Sequence, residues 1–244
     1  MPAVNGKVAI VTGASNGIGR AIAERLAQNG TLVIVNYGKS ADKAKAVVAG
    51  IESAGGFAVA IQADVSDVTE ARRLVRETVQ RFGRLDILVN NAGIFTSKPL
   101  VDTTEEEYDR LFAVNTKGPY FLMQEAAKVI EAGGRIVNIS TDGTHMGFSG
   151  VTVYLGSKGA LEQFTKGLAH ELAPKGVTVN TVSPGFTDTD MLADANLKEI
   201  GAAMSPFKRV GTAQDIADVV AFVVSDEARW LTGQNVHAGG GVVM

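Results

Sequence analysis

Apolar positions fall along this chain in two alternating rhythms. Short runs, apolar almost throughout and rich in Val and Ile, lie at 7–12, 31–36, 57–62, 85–89, 134–140, 177–181 and 235–238. That is the pattern of strands covered on both faces. Between them, longer stretches at 18–29, 41–54, 68–82, 104–131, 153–173 and 213–224 repeat their apolar residues at helical spacing. Such alternation predicts βαβ units: an α/β fold with a doubly wound, mainly parallel, seven-stranded sheet and helices on both faces, in three layers.

Boundary signals agree with this reading. Gly30, Gly55-Gly56, Gly83, Gly133-Gly134 and Gly176 each follow a helical run, where a left-handed residue closes a helix. Thr103 or Thr104 ahead of Glu105-Glu106-Glu107 predicts a helix N-cap with an acidic first turn. No linker, repeat or charge block divides the chain, which reads as one domain. The least regular stretch, 186–211, is expected to form a lid over a site.

Composition narrows the classes of function. The chain has 244 residues, a net charge of −3 and no cysteine. Disulfides, thiolate metal sites and cysteine nucleophiles are therefore excluded, and a reducing compartment suits the chain. No basic field is expected to hold nucleic acid. The apolar runs are too short to cross a bilayer, and the first residues lack a leader's apolar run. A cytoplasmic location is expected. His145, His170 and His237 have no ligand spacing, so no metal is expected.

The first chemical signal is Gly13-Ala14-Ser15-Asn16-Gly17-Ile18-Gly19, between the first strand and the first helix. Gly13 would let the strand turn, Gly17 would admit a pyrophosphate to the backbone, and Gly19 would let helix and strand pack closely. The phosphates would sit on the helix N-terminus, where free N–H groups and the dipole favour anions. The second signal is Tyr154 and Lys158, four residues apart on a helix and so on one face. Reduction of a carbonyl needs a proton for the oxygen, and an ammonium beside a phenol is expected to lower its pKa from about 10 towards working pH.

With these residues in place, the chain resembles the short-chain dehydrogenase/reductases in their compact, single-domain form. The resemblance spans nearly the whole sequence and implies a Rossmann-type fold. Within the family it looks most like 3-oxoacyl-thioester reductases, with weaker kinship to sugar and polyol dehydrogenases. A non-catalytic nucleotide-binding regulator and a sugar-nucleotide epimerase or dehydratase are the rivals from other classes. The resemblance implies that Asp64-Val65 contact adenine and that Asn90-Asn91-Ala92-Gly93 lie beside the adenine ring and central sheet. It implies that Tyr154 is the proton donor and that Lys158 holds the nicotinamide ribose. Asn115 would sit at a helix irregularity and anchor a proton-relaying water. Pro184-Gly185, the Thr187 backbone and the Thr189 hydroxyl would clamp the nicotinamide and pyrophosphate.

Two departures stand out. The family's serine, which holds the substrate oxygen, falls on Thr141; a one-residue loop shift would bring Ser140 there instead. Threonine keeps the hydroxyl with a stiffer χ1. After the second strand, Asn36-Tyr37-Gly38-Lys39-Ser40 carries no carboxylate to meet an adenosine ribose, so NADP(H) is favoured over NAD(H), with Lys39 and Ser40 available to its phosphate. The expected substrate is a small carbonyl compound or the matching alcohol. A homotetramer is implied by the family's two long helices. Trp230 reads as buried packing, and Asp142 is left unoriented, facing the pocket or away from it.

Overall fold

The structure is a computed structural model that describes residues 6–244; Met1–Asn5, part of the stretch read for a leader, lie outside the described residues. The strands of the main sheet are β1 (Val8–Val11), β2 (Leu32–Tyr37), β3 (Phe57–Gln62), β4 (Ile87–Asn90), β5 (Arg135–Ile139), β6 (Thr178–Pro184) and β9 (Asn235–Ala238). They pair in the order β3-β2-β1-β4-β5-β6-β9, and each pairing is parallel. Two further strands, β7 (Thr187–Asp188) and β8 (Gly211–Thr212), form a small separate ladder.

Strand alternation divides the core in two. Ala9 and Val11 of β1 face α1 (Gly17–Gln28), α2 (Ala41–Ser53) and α8 (Ala213–Val223). Val8 and Ile10 face α3 (Val68–Phe82), α5 (Gly118–Val129) and α6 (Thr152–Leu172) on the opposite side. The side-chain period of two thus builds both helical layers from one apolar run. Strand order reverses between β1 and β4, and the crevice beyond their carboxyl ends is where such sheets take ligands.

Local signals act as expected. Gly83 closes α3 in the left-handed region at φ 78°, and Thr104, rather than Thr103, caps α4 (Glu105–Phe112) in a reciprocal capping box with Glu107. Three expectations need correction. The helix expected over 104–131 is interrupted: a π-helical turn, Ala113–Lys117, joins α4 to α5. The stretch 186–211 is not irregular; it holds β7, a 3₁₀ turn at Asp190–Leu192 and α7 (Ala195–Met204), capped by Asp194. Its helix escaped the periodicity reading because Leu197, Ile200 and Met204 stay exposed, so no core-facing stripe exists. Trp230 is 95% exposed in the single chain rather than buried.

Candidate active site

The glycine turn is held by its neighbours rather than by itself. The Thr12 hydroxyl accepts from the backbone N–H groups of Asn91 and Ala92, both at 3.0 Å. Asn91 returns the bond, its Nδ2 donating to the Thr12 carbonyl at 2.9 Å. Gly13 and Gly17 take φ of +61° and +54°, open to glycine at little cost. A side chain at Gly13 would also press on Ala92 Cα, at 2.9 Å. α1 then starts with Asn16 as an N-cap whose side chain makes no capping bond, and with no acidic residue in its first turn. Its leading N–H groups are therefore left without a side-chain acceptor, next to Ser15, Gly17 and Ile18 of the turn. This is a cradle suited to a dinucleotide pyrophosphate.

Beyond β2 the structure separates two groups of candidates. Asn36 is buried, and both hydrogens of its amide go to main chain: the Ile61 carbonyl at 3.2 Å and the Ala63 carbonyl at 3.1 Å. Its Oδ1 accepts from the Gly13 N–H at 3.4 Å. Asn36 therefore ties β2, β3 and the glycine turn together, and its place as a direct cofactor contact is corrected for want of a free donor or exposed face. Tyr37 is half-buried, while Lys39 and Ser40 are exposed at the rim, where the Ser40 side chain makes no capping bond to α2. Asp64 folds its carboxylate onto the Ser66 N–H and hydroxyl, leaving it on the exposed rim beside buried Val65.

On the other side of the crevice, α6 presents Tyr154 and Lys158 together. Lys158 is buried; its Nζ donates to the Ile139 carbonyl at 2.8 Å and lies 6.0 Å from the centre of the Tyr154 ring. A Cβ placed on Gly93 would stand 3.3 Å from that Nζ and 3.4 Å from Asn115 Oδ1, so the 90–93 segment adjoins the same point. Asn115 lies in the π turn and is wholly buried. Its Oδ1 accepts from the Ile94 N–H at 2.9 Å, and its Nδ2 donates to the Ile94 carbonyl at 2.9 Å and to Ser157 Oγ at 3.2 Å. With both amide hydrogens committed, Asn115 braces the loop after β4 against α6. A water held by this side chain would have only its oxygen to bind.

The two hydroxyls after β5 part company. Ser140 is buried and commits its one hydrogen to Glu162 Oε1 at 2.6 Å, which corrects its candidacy as the residue holding a substrate oxygen. Thr141 stands beside Tyr154, where its hydroxyl favours the phenolate. Burial outweighs that effect and pushes the Tyr154 phenol up to about 12. Burial also pushes the Lys158 ammonium down to about 8, opposed by the negative charge of Glu162. The lysine was expected to lower the tyrosine's pKa; instead desolvation governs both groups.

The segment after β6 closes the ring. Gly185 lies so near Gly239 that a Cβ would meet Gly239 Cα at 2.8 Å. The Thr187 hydroxyl turns back onto the Gly185 carbonyl at 3.0 Å, and Thr189 reaches over the glycine turn, 3.6 Å from where a Cβ of Gly17 would stand. Pro184 ends β6 just before. Asp142 faces away from solvent: it is buried and bonded to His237 Nδ1 at 2.6 Å, and burial pushes its carboxyl up. Sequence reasoning missed Phe95, whose ring meets Tyr154 edge-on at 5.0 Å. It also missed Glu162, although the four-residue spacing that pairs Tyr154 with Lys158 extends to it. Among the described residues no cluster of potential metal ligands occurs, and no helix is long and apolar enough to cross a membrane.

A parallel sheet with an uncapped glycine turn, and with half-buried Tyr154 beside buried Lys158 at its carboxyl edge, defines a dinucleotide-dependent oxidoreductase architecture. Comparison agrees. A family profile described as Enoyl-(Acyl carrier protein) reductase matches residues 13–243. Versicolorin reductase 1 of Aspergillus parasiticus is 42% identical over 98% of this chain and 97% of its own. A short-chain dehydrogenase from Burkholderia cenocepacia, crystallised with NADP, superposes with a TM-score of 0.94 at 44% identity, covering 98% of this chain and 99% of its own. The angucycline C-6 ketoreductase LanV, with bound NADP, superposes at 0.92 with 42% identity over 98% and 97% of the two chains. The chain belongs to the short-chain dehydrogenase/reductase family.

Proposed function

We propose that this protein is an NADP(H)-dependent carbonyl reductase, working in the direction of reduction. The observation that carries this reading is the phenol of half-buried Tyr154, beside the Thr141 hydroxyl and one helical turn from Lys158, at the edge of the cofactor crevice. The coenzyme supplies the hydride when bound. Gly13, Ser15, Gly17, Ile18 and Gly19 would hold its pyrophosphate, Asp64, Val65, Asn91 and Ala92 its adenosine, and Lys39 and Ser40 its 2′-phosphate. Asn16 and Tyr37 would border the latter, and Gly93, Pro184, Gly185, Thr187 and Thr189 the nicotinamide end. Burial keeps Tyr154 protonated at neutral pH, so its Oη carries a proton ready for the oxygen of a ketone. Thr141 would hold that oxygen, Lys158 would meet the ribose and stabilise the developing phenolate, and Asn115 would keep both in register.

A polycyclic aromatic ketone or quinone fits better than an acyl thioester. Phe95 stacks edge-on with Tyr154, and Phe148 and Phe186 meet edge-on with ring centres 6.2 Å apart. Flat rings pack on such a frame, and the relatives named above act on versicolorin and angucycline. The discriminating experiment follows oxidation of NADPH and of NADH against β-ketoesters, fused-ring quinones, sugars and steroids. Preference for NADPH with quinones supports the reading. Tight NADPH binding with no turnover of any class would favour a regulator instead.

The stretch 186–211 would act as the lid over this pocket. A homotetramer in the cytoplasm completes the proposal: exposed Tyr108 and Tyr120 on α4 and α5 would meet a second copy, and Phe222 with Trp230 a third.

A further inference from the structure

Glu162 is a buried carboxylate on α6, one turn beyond Lys158. Its Oε1 accepts from Ser140 Oγ at 2.6 Å and from Thr144 Oγ1 at 2.7 Å. Those two hydroxyls flank Thr141: Ser140 precedes it just beyond β5, and Thr144 follows in the turn Asp142–His145. Thr144 Oγ1 also lies 2.9 Å from the Thr141 carbonyl and 3.0 Å from His145 Nδ1. A hydroxyl has one hydrogen to give, and the anionic oxygen is the stronger acceptor. One carboxylate oxygen therefore grips the segment that carries Thr141 from both sides.

We propose that Glu162 is a positioning residue of the reduction: its carboxylate clamps Ser140 and Thr144, fixing Thr141 against Tyr154, and places a buried negative charge beside Lys158. The inference rests on the carbonyl-reductase reading and adds to it a residue that touches neither substrate nor coenzyme. Three features support it. A buried carboxylate is costly unless it is paired or hydrogen-bonded, and this one has two hydroxyl donors. Its charge opposes the desolvation of Lys158, so it helps keep an ammonium where burial alone disfavours one. Finally, the charged and titratable groups that face it come from three sides: Lys158 on its own helix, and Asp142 and His145 on the turn, with His237 of β9 bonded to Asp142.

The test uses the full-length enzyme and two variants, Glu162→Gln and Ser140→Ala. NADPH binding is followed by its fluorescence from acid to alkaline pH, together with steady-state reduction of the best quinone or ketone. Glu162→Gln keeps an acceptor but loses the charge. Its alkaline loss of NADPH affinity should therefore move roughly one pH unit towards acid. Its kcat should fall roughly tenfold while KM changes little, as expected for a misplaced catalytic group. Ser140→Ala keeps the charge and releases half the clamp: kcat should fall several-fold with the pH midpoint unmoved. An unmoved midpoint in Glu162→Gln, or wild-type kcat in Ser140→Ala, overturns the proposal. So does a loss of activity that merely tracks the unfolded fraction in a thermal melt. Should Glu162→Gln fail to fold, the Ser140→Ala kcat decides. Wild-type protein that reduces no carbonyl defeats the carbonyl-reductase reading alone, because the binding midpoint in Glu162→Gln still tests the charge placed beside Lys158.

Discussion

Burial acts on Tyr154 and Lys158 in opposite directions, and their chemistry follows from that. The phenol is pushed up to about 12 and stays a proton donor through the neutral range, whereas the ammonium is pushed down to about 8. Reductive kcat/KM should therefore fall as pH rises through about 8, when Lys158 loses its charge, well before Tyr154 ionises; a pH profile of NADPH oxidation checks this. Removing the proton donor in Tyr154→Phe should lower kcat by roughly 10²–10⁴-fold while NADPH still binds, as read by fluorescence titration. Thr141→Val removes the hydroxyl beside the phenol and should cost far more kcat than Ser140→Ala. The reverse order would transfer the substrate-holding role to Ser140.

At the scale of elements, the π turn between α4 and α5 matters because it carries Asn115 inward. Its amide satisfies both main-chain groups of Ile94, and a buried amide left without partners costs about 1–3 kcal/mol. Asn115→Leu should lower the unfolding free energy by that amount, read by chemical denaturation, and reduce kcat as Gly93 and Lys158 lose registry. Gly13→Ala should weaken NADPH binding and destabilise the fold together, because the new Cβ would press on Ala92 in a left-handed backbone.

For the molecule as a whole, a buried lysine is a stability cost kept for function. Its pKa falls from 10.5 to about 8 on folding, so the unfolded chain binds the extra proton between those values. The cost, about 3 kcal/mol by linkage, is present in full below pH 8 and fades as pH rises towards 10.5. Lys158→Met should accordingly raise the melting temperature at pH 7, lose that advantage near pH 10 and abolish turnover. The exposure of Trp230 at 95% and Phe222 at 51% belongs to this scale too. Charged replacements there should lower the mass seen by light scattering.

Much of this was written in local sequence. The all-apolar strand runs, the helical periods, the glycine turn and the Tyr154–Lys158 spacing depend on contacts between near neighbours, and such patterns survive in a linear reading. The sheet direction and the crevice followed from their alternation. What tertiary structure decided were matters of where a side chain points after long-range packing. Asn36 looked like a cofactor contact until Ile61 of β3 and Ala63 just beyond it took both its amide hydrogens. Ser140 and Thr141 were interchangeable until Glu162, more than twenty residues away, claimed the serine. Trp230 looked buried because a large apolar ring usually is, yet nothing in one chain covers it. Periodicity records which face of an element is apolar; only the packed fold assigns each polar group a partner, because partners distant in sequence compete for its few hydrogen bonds.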